Sequence, residues 1–208
     1  RANNVDIIEN FEVSEMNSKN NIYEIISNKG EKINASKIVV AAGVHLGKIL
    51  KLLNININIK CFPQQLIVTE RMPELMKTVV TVANGKLSLK QFESGTVLIG
   101  GGWPGIGNIE NDYTETKPEN LIGNMRLACH AIPNLKNSRV SRVWLGLEAE
   151  TDDAMPVIGE LPNLKNAYVI GSIHSGYTSG PYLGLLLSEK ILGKETDLSL
   201  FDIKRLIH

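Results

Sequence analysis

Cysteine is scarce in this chain of 208 residues: only Cys61 and Cys129 occur, far apart and without CxxC spacing. A disulfide framework or a thiolate zinc site needs paired or clustered cysteines, so neither is expected, and a reducing, cytoplasmic setting fits. Excess charge is also missing. Lys plus Arg equals Asp plus Glu at 22 each, so no global field draws the chain to nucleic acid or to an anionic membrane surface. A small molecule or another protein is the expected partner. No apolar run reaches the roughly eighteen residues of a membrane span, and no basic-then-apolar leader opens the chain. No transmembrane segment is expected, and attachment to a membrane through another subunit stays open. Internal repeats and low-complexity tails are lacking as well. The first residue is Arg1 and not Met, and Val5 to Val13 reads as an extended run that needs neighbours, so the chain is expected to begin mid-protein.

Apolar residues make up 43% of the chain, enough for a packed core in one large domain or two small ones. Ile22 to Ser27, a turn at Asn28-Lys29-Gly30, and Lys32 to Asn34 predict a hairpin, because Asn and Gly supply the positive φ of tight turns. The β-branched run Ile38-Val39-Val40 closing on Ala41-Ala42-Gly43 predicts a buried strand. Its small terminal residues leave room for another backbone or a flat ligand. Leu46 to Leu53 follows as a short amphipathic helix.

Between about Ile55 and Ser141 the texture changes. Strands are predicted at Gln65 to Glu70, Thr78 to Ala83, Lys86 to Lys90 and Thr96 to Gly100, as a separate antiparallel layer. A helix over Thr116 to Ala131 interrupts them, with Pro118 suited to its first turn and Pro133 beyond its end. Strands return at Arg142 to Leu147 and Ala167 to Gly171. A last helix is predicted from Pro181 to Leu192, closed by Gly193, with Thr178 or Ser179 as its N-cap.

One GxGxxG pattern, Gly100 to Gly105, follows a predicted strand but does not open a helix. A dinucleotide's diphosphate needs the free N–H groups of such a helix, so the pattern reads as a wide glycine turn, with Trp103 a candidate for lining a pocket or interface. The richer constellation is carboxy-terminal: Trp144-Leu145-Gly146-Leu147-Glu148, then Met155 to Gly159, then Gly171-Ser172-Ile173-His174-Ser175-Gly176-Tyr177-Thr178-Ser179-Gly180-Pro181. The last block precedes a helix whose unpaired N–H groups carry partial positive charge, which suits an anionic ligand edge as well as a merely well-capped helix.

Together with Ile38 to Gly43 and Gln64 to Glu70, these blocks resemble, in order and over nearly the whole chain, the D-amino-acid oxidase superfamily of FAD enzymes. Glycine and sarcosine oxidases, D-amino-acid dehydrogenases and the flavin subunits of opine oxidase and hydrogen cyanide synthase belong to it. The resemblance implies an α/β (α+β) fold: an incomplete Rossmann-like FAD-binding domain interleaved with an antiparallel β-sheet substrate domain. It divides the chain into residues 1–58 and 142–208 for the former and 59–141 for the latter. The implied activity is oxidation of an amine or amino acid by hydride transfer to noncovalent FAD. The implied alternative is a truncated or split flavoprotein segment that needs a companion chain, since the amino-terminal βαβ unit with its glycine turn is absent.

By the same resemblance, Val13 is placed at the adenine and Ala41, Ala42 and Gly43 at the strand end beside the cofactor. Gly146 and Leu147 are placed near flavin and substrate, and Gly171 with the loop and helix start from His174 and Ser175 through Gly176, Tyr177, Thr178 and Ser179 near the isoalloxazine. His174, Tyr177 and Glu148 are the catalytic candidates. His174 stands as a proton-transfer group or as a flavin or packing contact, and Tyr177 as pocket lining or core. Where related amino-acid oxidases commonly carry an arginine after Trp-x-Gly-Leu, this chain has Glu148. Either a cationic substrate end meets Glu148, or a substrate carboxylate is held by Arg71, Arg126, Arg139 or Arg142.

Overall fold

The computed structural model describes residues 3–83, 85–110 and 113–207 and divides the chain into two compact units. Arg1–Lys60 with Ala149–His208 form the first, and Cys61–Glu148 the second.

The first unit opens with an antiparallel meander of β1 (Val13–Lys19), β2 (Ile22–Ser27) and β3 (Lys32–Ala35). Residues 5–12, expected to be extended strand, lie outside any strand, and the first strand starts at Val13. Its turn is Asn20-Asn21, both left-handed with φ +53° and +60°, a pair that matches the twist of a two-residue hairpin. Strand β4 (Ile38–Val40) leads through a short 3₁₀ turn at Gly43–His45 into α1 (Leu46–Lys51). Gly43, at φ +54°, makes that change of direction. Leu46 and Leu50, one turn apart, are fully buried against Tyr23, Val40, Val157 and Val169 in the main core of this unit.

The carboxy-terminal part returns to the first unit as β12 (Val157–Glu160), β13 (Ala167–Gly171) and α3 (Gly176–Ile191). The three-stranded sheet runs β12-β13-β4: β12 pairs antiparallel with β13, and β13 pairs parallel with β4. Leu183 and Leu187 of α3 pack on Ile158 and Tyr168.

Arg205, near the chain end, ties the loop before β12 to the last 3₁₀ turns. Its Nε donates to Asp153 Oδ2 at 2.7 Å, and its Nη2 donates to the carbonyls of Met155 and Pro156 at 2.9 and 3.0 Å. Nη1 reaches the carbonyls of Phe201 and Asp202. The guanidinium, helped by the Thr151 hydroxyl and the Met155 N–H and opposed by partial burial, holds the Asp153 carboxyl well below the usual carboxylate range. A lowered folded-state pKa stabilises above the unfolded value of about 3.9 and is lost as pH falls below it. Arg205→Ala is therefore expected to cost about 2 kcal/mol at neutral pH, because several charge-assisted bonds go at once, and to flatten the acid limb of the stability profile. Urea melts at neutral and acid pH measure both; a variant with unchanged acid dependence removes Asp153 from the argument.

The second unit is built on a five-stranded sheet in the order β11-β5-β8-β7-β6: β11 (Val140–Glu150), β5 (Lys60–Arg71), β8 (Thr96–Gly100), β7 (Ser88–Gln91) and β6 (Val80–Thr81). A hairpin of β9 (Ile106–Asn108) and β10 (Tyr113–Glu115) follows the glycine turn, where the sequence suggested continuing loop. Helix α2 (Pro118–Ala131) sets Ala128 in a core with Ile67, Leu87, Leu89, Val97 and Ile99. Gln65 anchors the start of α2, its Oε1 accepting from the Lys117 N–H at 2.9 Å.

Candidate functional site

Because β4 and β13 run parallel, with Val40 opposite Val169, the segment Ala41-Ala42-Gly43 leaves the sheet beside Ile170, Gly171 and Ser172. The carboxyl ends of parallel strands are where open α/β sheets bind ligands, since the chain turns away there and leaves a crevice. A Cβ on Gly171 would sit 2.8 Å from Leu46 Cδ2, so glycine lets the buried Leu46 side chain of α1 lie close against the strand end.

A groove of about 710 Å³ opens along this part of the first unit. Val13, Ala41 and Ala42 line it together, with Met16, Val39 and Ile49 extending its apolar wall. Its polar residues are His45 and an ion pair in which Lys48 Nζ lies 3.5 Å from Glu12 Oε1. The groove thus gathers three of the residues that sequence placed at a cofactor. Met16, Ile49 and Lys48 were not foreseen; their only sequence signal is their spacing on a strand and a helix beside the named ones.

The block after β13 takes a different form from the one the sequence suggested. Helix α3 begins at Gly176, so Ser175 is its N-cap, Thr178 and Ser179 lie inside its first turn, and Pro181 lies in its interior. The N–H groups of Thr178 and Ser179 both bond to the Ser175 carbonyl at 2.9 Å. No side chain caps the helix, which leaves the leading N–H groups of Gly176 and Tyr177 at the positive end of the helix dipole. His174, Ser175, Gly176 and Thr178 are exposed, Ser179 is half-buried, and Tyr177 is 100% exposed, which makes it a surface residue of the first unit and not core.

Ser172, between Gly171 and His174, was not singled out from the sequence. It is 5% exposed, holds a left-handed φ of +50°, and its Oγ is a buried atom with no hydrogen-bond partner. A buried hydroxyl without a partner costs about 1 to 3 kcal/mol, and a non-glycine left-handed residue about 1 more. Ser172→Gly is expected to raise the stability of the unliganded chain by about 1 kcal/mol, the two relieved costs exceeding glycine's greater chain entropy. A urea midpoint that fails to rise would mean the Oγ is already satisfied in solution.

Gly146, Leu147 and Glu148 lie on β11 of the second unit. Gly146 is exposed, with open space where a Cβ would be, and Leu147 is half-buried. Glu148 is half-buried and accepts from Gln64 Nε2 at 2.9 Å, so β5 orients its carboxylate. The four arginines named as alternative anion holders are exposed: Arg139 lies beside Arg71, its carbonyl accepting from the Glu70 N–H at 2.8 Å, Arg142 stacks over Trp144 at 4.8 Å from the ring centre, and Arg126 lies on α2. Glu148 belongs to one unit, His174 and Tyr177 to the other.

The profile described as "DAO: FAD dependent oxidoreductase" matches residues 1–190. This chain belongs to that family. Hydrogen cyanide synthase subunit HcnC of Pseudomonas protegens is 26% identical over 198 residues, covering 94% of this chain and 46% of the relative. Glycine oxidase of Geobacillus kaustophilus is 23% identical, covering 87% of this chain and 48% of that protein. Among solved structures, L-proline dehydrogenase from P. horikoshii superposes with a TM-score of 0.85 at 25% identity, covering 95% of this chain and 54% of its own. The chain spans about half the length of the relatives it matches. Mixed helix and sheet with several antiparallel sheets agrees with the family's FAD-binding fold. Among the described residues, no helix is long and apolar enough to cross a membrane.

The first unit fits the family's flavin on two observations independent of the family match: the apolar groove beside the strand ends, and the unpartnered Ser172 Oγ behind the uncapped start of α3. An elongated cofactor with an aromatic end and an anionic, hydrogen-bonding edge suits that donor set.

Proposed function

We propose that this chain supplies part of the FAD site and most of the substrate-binding sheet of an enzyme that oxidises a CH–NH bond in an amine or amino acid. The single observation that carries the reading is the buried, unpartnered Ser172 Oγ at the carboxyl ends of β4 and β13, next to the start of α3. Membership of an FAD-dependent family whose relatives include a protein named glycine oxidase supports it.

In this reading Val13, Ala41, Ala42 and Gly43 hold the adenosine side, their small size admitting a close approach. Gly171, Ser172 and the turn from His174 to Ser179 hold the isoalloxazine side. FAD, when bound, supplies the hydride acceptor. The Gly176 and Tyr177 N–H groups, at the positive end of α3, would hold the anionic edge of the ring. In the first unit, His174 is the candidate proton-transfer group beside the ring and Tyr177 a candidate lining residue. Glu148, steadied by Gln64, meets a cationic group on the substrate, with Gly146 and Leu147 leaving room for it. The units carry distinct tasks: the first the cofactor, the second the substrate.

A second reading has a specific observation of its own. Strand β4 is an edge of its three-stranded sheet and Val39 on it is 45% exposed, so the sheet and groove are open to a further polypeptide. In that reading the chain holds flavin only with a companion segment, which is in keeping with a relative, HcnC, that is named as a subunit.

The test is the visible spectrum of the purified chain after incubation with FAD and desalting. Retained flavin with oxidised-flavin absorption, lost in Ser172→Gly, is the expected result for the first reading. Colourless wild-type protein with an unchanged circular dichroism spectrum transfers the flavin to the combined form. Retention that Ser172→Gly leaves intact removes Ser172 from the site.

A further inference from the structure

A second groove, of about 560 Å³, lies on the second unit along one flank of α2. Its residues recur at helical spacing: Leu121 and Ile122, Met125 and Arg126, then Cys129 and His130, continuing to Pro133 and Lys136 in the next 3₁₀ turn. The first of each pair leans towards the core, where Leu121, Met125 and Cys129 are half-buried, and the second stands out to solvent. Ile122 is 48% exposed, and the next residue, Gly123, lies under the Trp103 ring.

Charge on this groove has one sign. Arg126 and Lys136 line it with His130, and among the described residues no carboxylate does. Among the described residues neither Arg126 nor Lys136 makes an ion pair. An apolar strip bordered by cations and no carboxylate complements an occupant that is apolar along one side and acidic beside it.

We propose that this flank of α2 docks an acidic amphipathic helix of a partner polypeptide. Apolar side chains of the partner, spaced one helical turn apart, would fill the strip formed by Ile122, Met125, Cys129 and Pro133. Carboxylates beside them would meet Arg126 and Lys136. Helix-in-groove recognition uses this combination: apolar anchors supply affinity and charges set orientation and partner choice. The groove lies wholly in the second unit and shares no residue with the flavin groove of the first, so the proposal does not rest on the flavin reading.

The probe is a synthetic amphipathic peptide with leucines along one face and glutamates beside them, compared with a counterpart in which lysines replace the glutamates. Binding to the full chain is followed by fluorescence anisotropy and by protection of Cys129 from alkylation, with Cys61 as the internal reference. The acidic peptide is expected to bind, to protect Cys129 and not Cys61, and to weaken by about tenfold or more in Arg126→Glu with Lys136→Glu, because each reversal turns attraction into repulsion. Both positions are exposed, so circular dichroism melts and flavin retention should stay as in the parent. Equal binding of the two peptides, binding untouched by the reversals, or no binding while vesicles of phosphatidylcholine and phosphatidylserine are captured would each overturn the proposal.

Discussion

Gly101→Ala is expected to destabilise the second unit by about 3 kcal/mol or more, far beyond an ordinary loop substitution. Gly101 has φ +113°, and a Cβ there would stand 2.5 Å from Leu87 Cα and N and 2.7 Å from Leu87 C. These are backbone atoms of a residue 1% exposed in the core, so no side chain can swing aside. Separation of β7 from β8 is the remaining relief, at the expense of ladder bonds and core contacts. Gly102→Ala is the control: φ is +73°, yet the nearest atom is Gly85 O at 3.9 Å, and about 1 kcal/mol of backbone strain is expected. Trp103 and Trp144 are the chain's two tryptophans and both lie in this unit, so intrinsic fluorescence during urea unfolding reports on it alone. Equal effects of the two substitutions would show that the Leu87 backbone does not approach Gly101. The result bears on function too, because it assigns the GxGxxG pattern to strand packing and not to phosphate binding.

Glu148→Gln, in the flavin-loaded protein, is expected to lower kcat/KM for a cationic amine substrate about a hundredfold, mostly through KM. The substitution keeps size and an oxygen for Gln64 Nε2, which donates to Glu148 at 2.9 Å, so the strand pair should keep its stability. What goes is the negative charge. A substrate cation left without it loses about 2.7 kcal/mol at that magnitude, as expected for one partner of a charge pair removed from water. Substrates lacking a second cationic group should change little, and that contrast separates recognition from damage. A fall of equal size for charged and uncharged substrates would assign Glu148 a structural role, and a carboxylate-binding arginine would have to be sought elsewhere.

Local signals made much of the fold legible. Ile38 to Val40 is strand and turns at Gly43 because a β-branched run followed by small residues and glycine permits little else. Pro118 and Pro133 bracket α2, one at the first turn and one past the end, where a missing N–H is harmless. The last helix was misjudged at its start for the opposite reason: Pro181 suggested a first turn, while α3 runs through it from Gly176. A proline does not stop a helix when packing of Leu183 and Leu187 on Tyr168 and Ile158 outweighs one lost bond. The Asn20-Asn21 turn escaped notice because polar Ser14, Glu15, Asn17, Ser18 and Lys19 hide the alternation of a half-exposed strand.

Sequence by itself determined the family and the alternation of two textures along the chain, because those are properties of order and spacing. Tertiary structure alone decided that Val13 meets Ala41 and Ala42 across one groove, that Leu46 packs against Gly171, and that the Ser172 hydroxyl is buried without a partner. Each of these depends on contacts between segments distant in the chain. Pairing of β4 with β13 joins residues more than a hundred positions apart, and no local pattern encodes which two strands will share an edge.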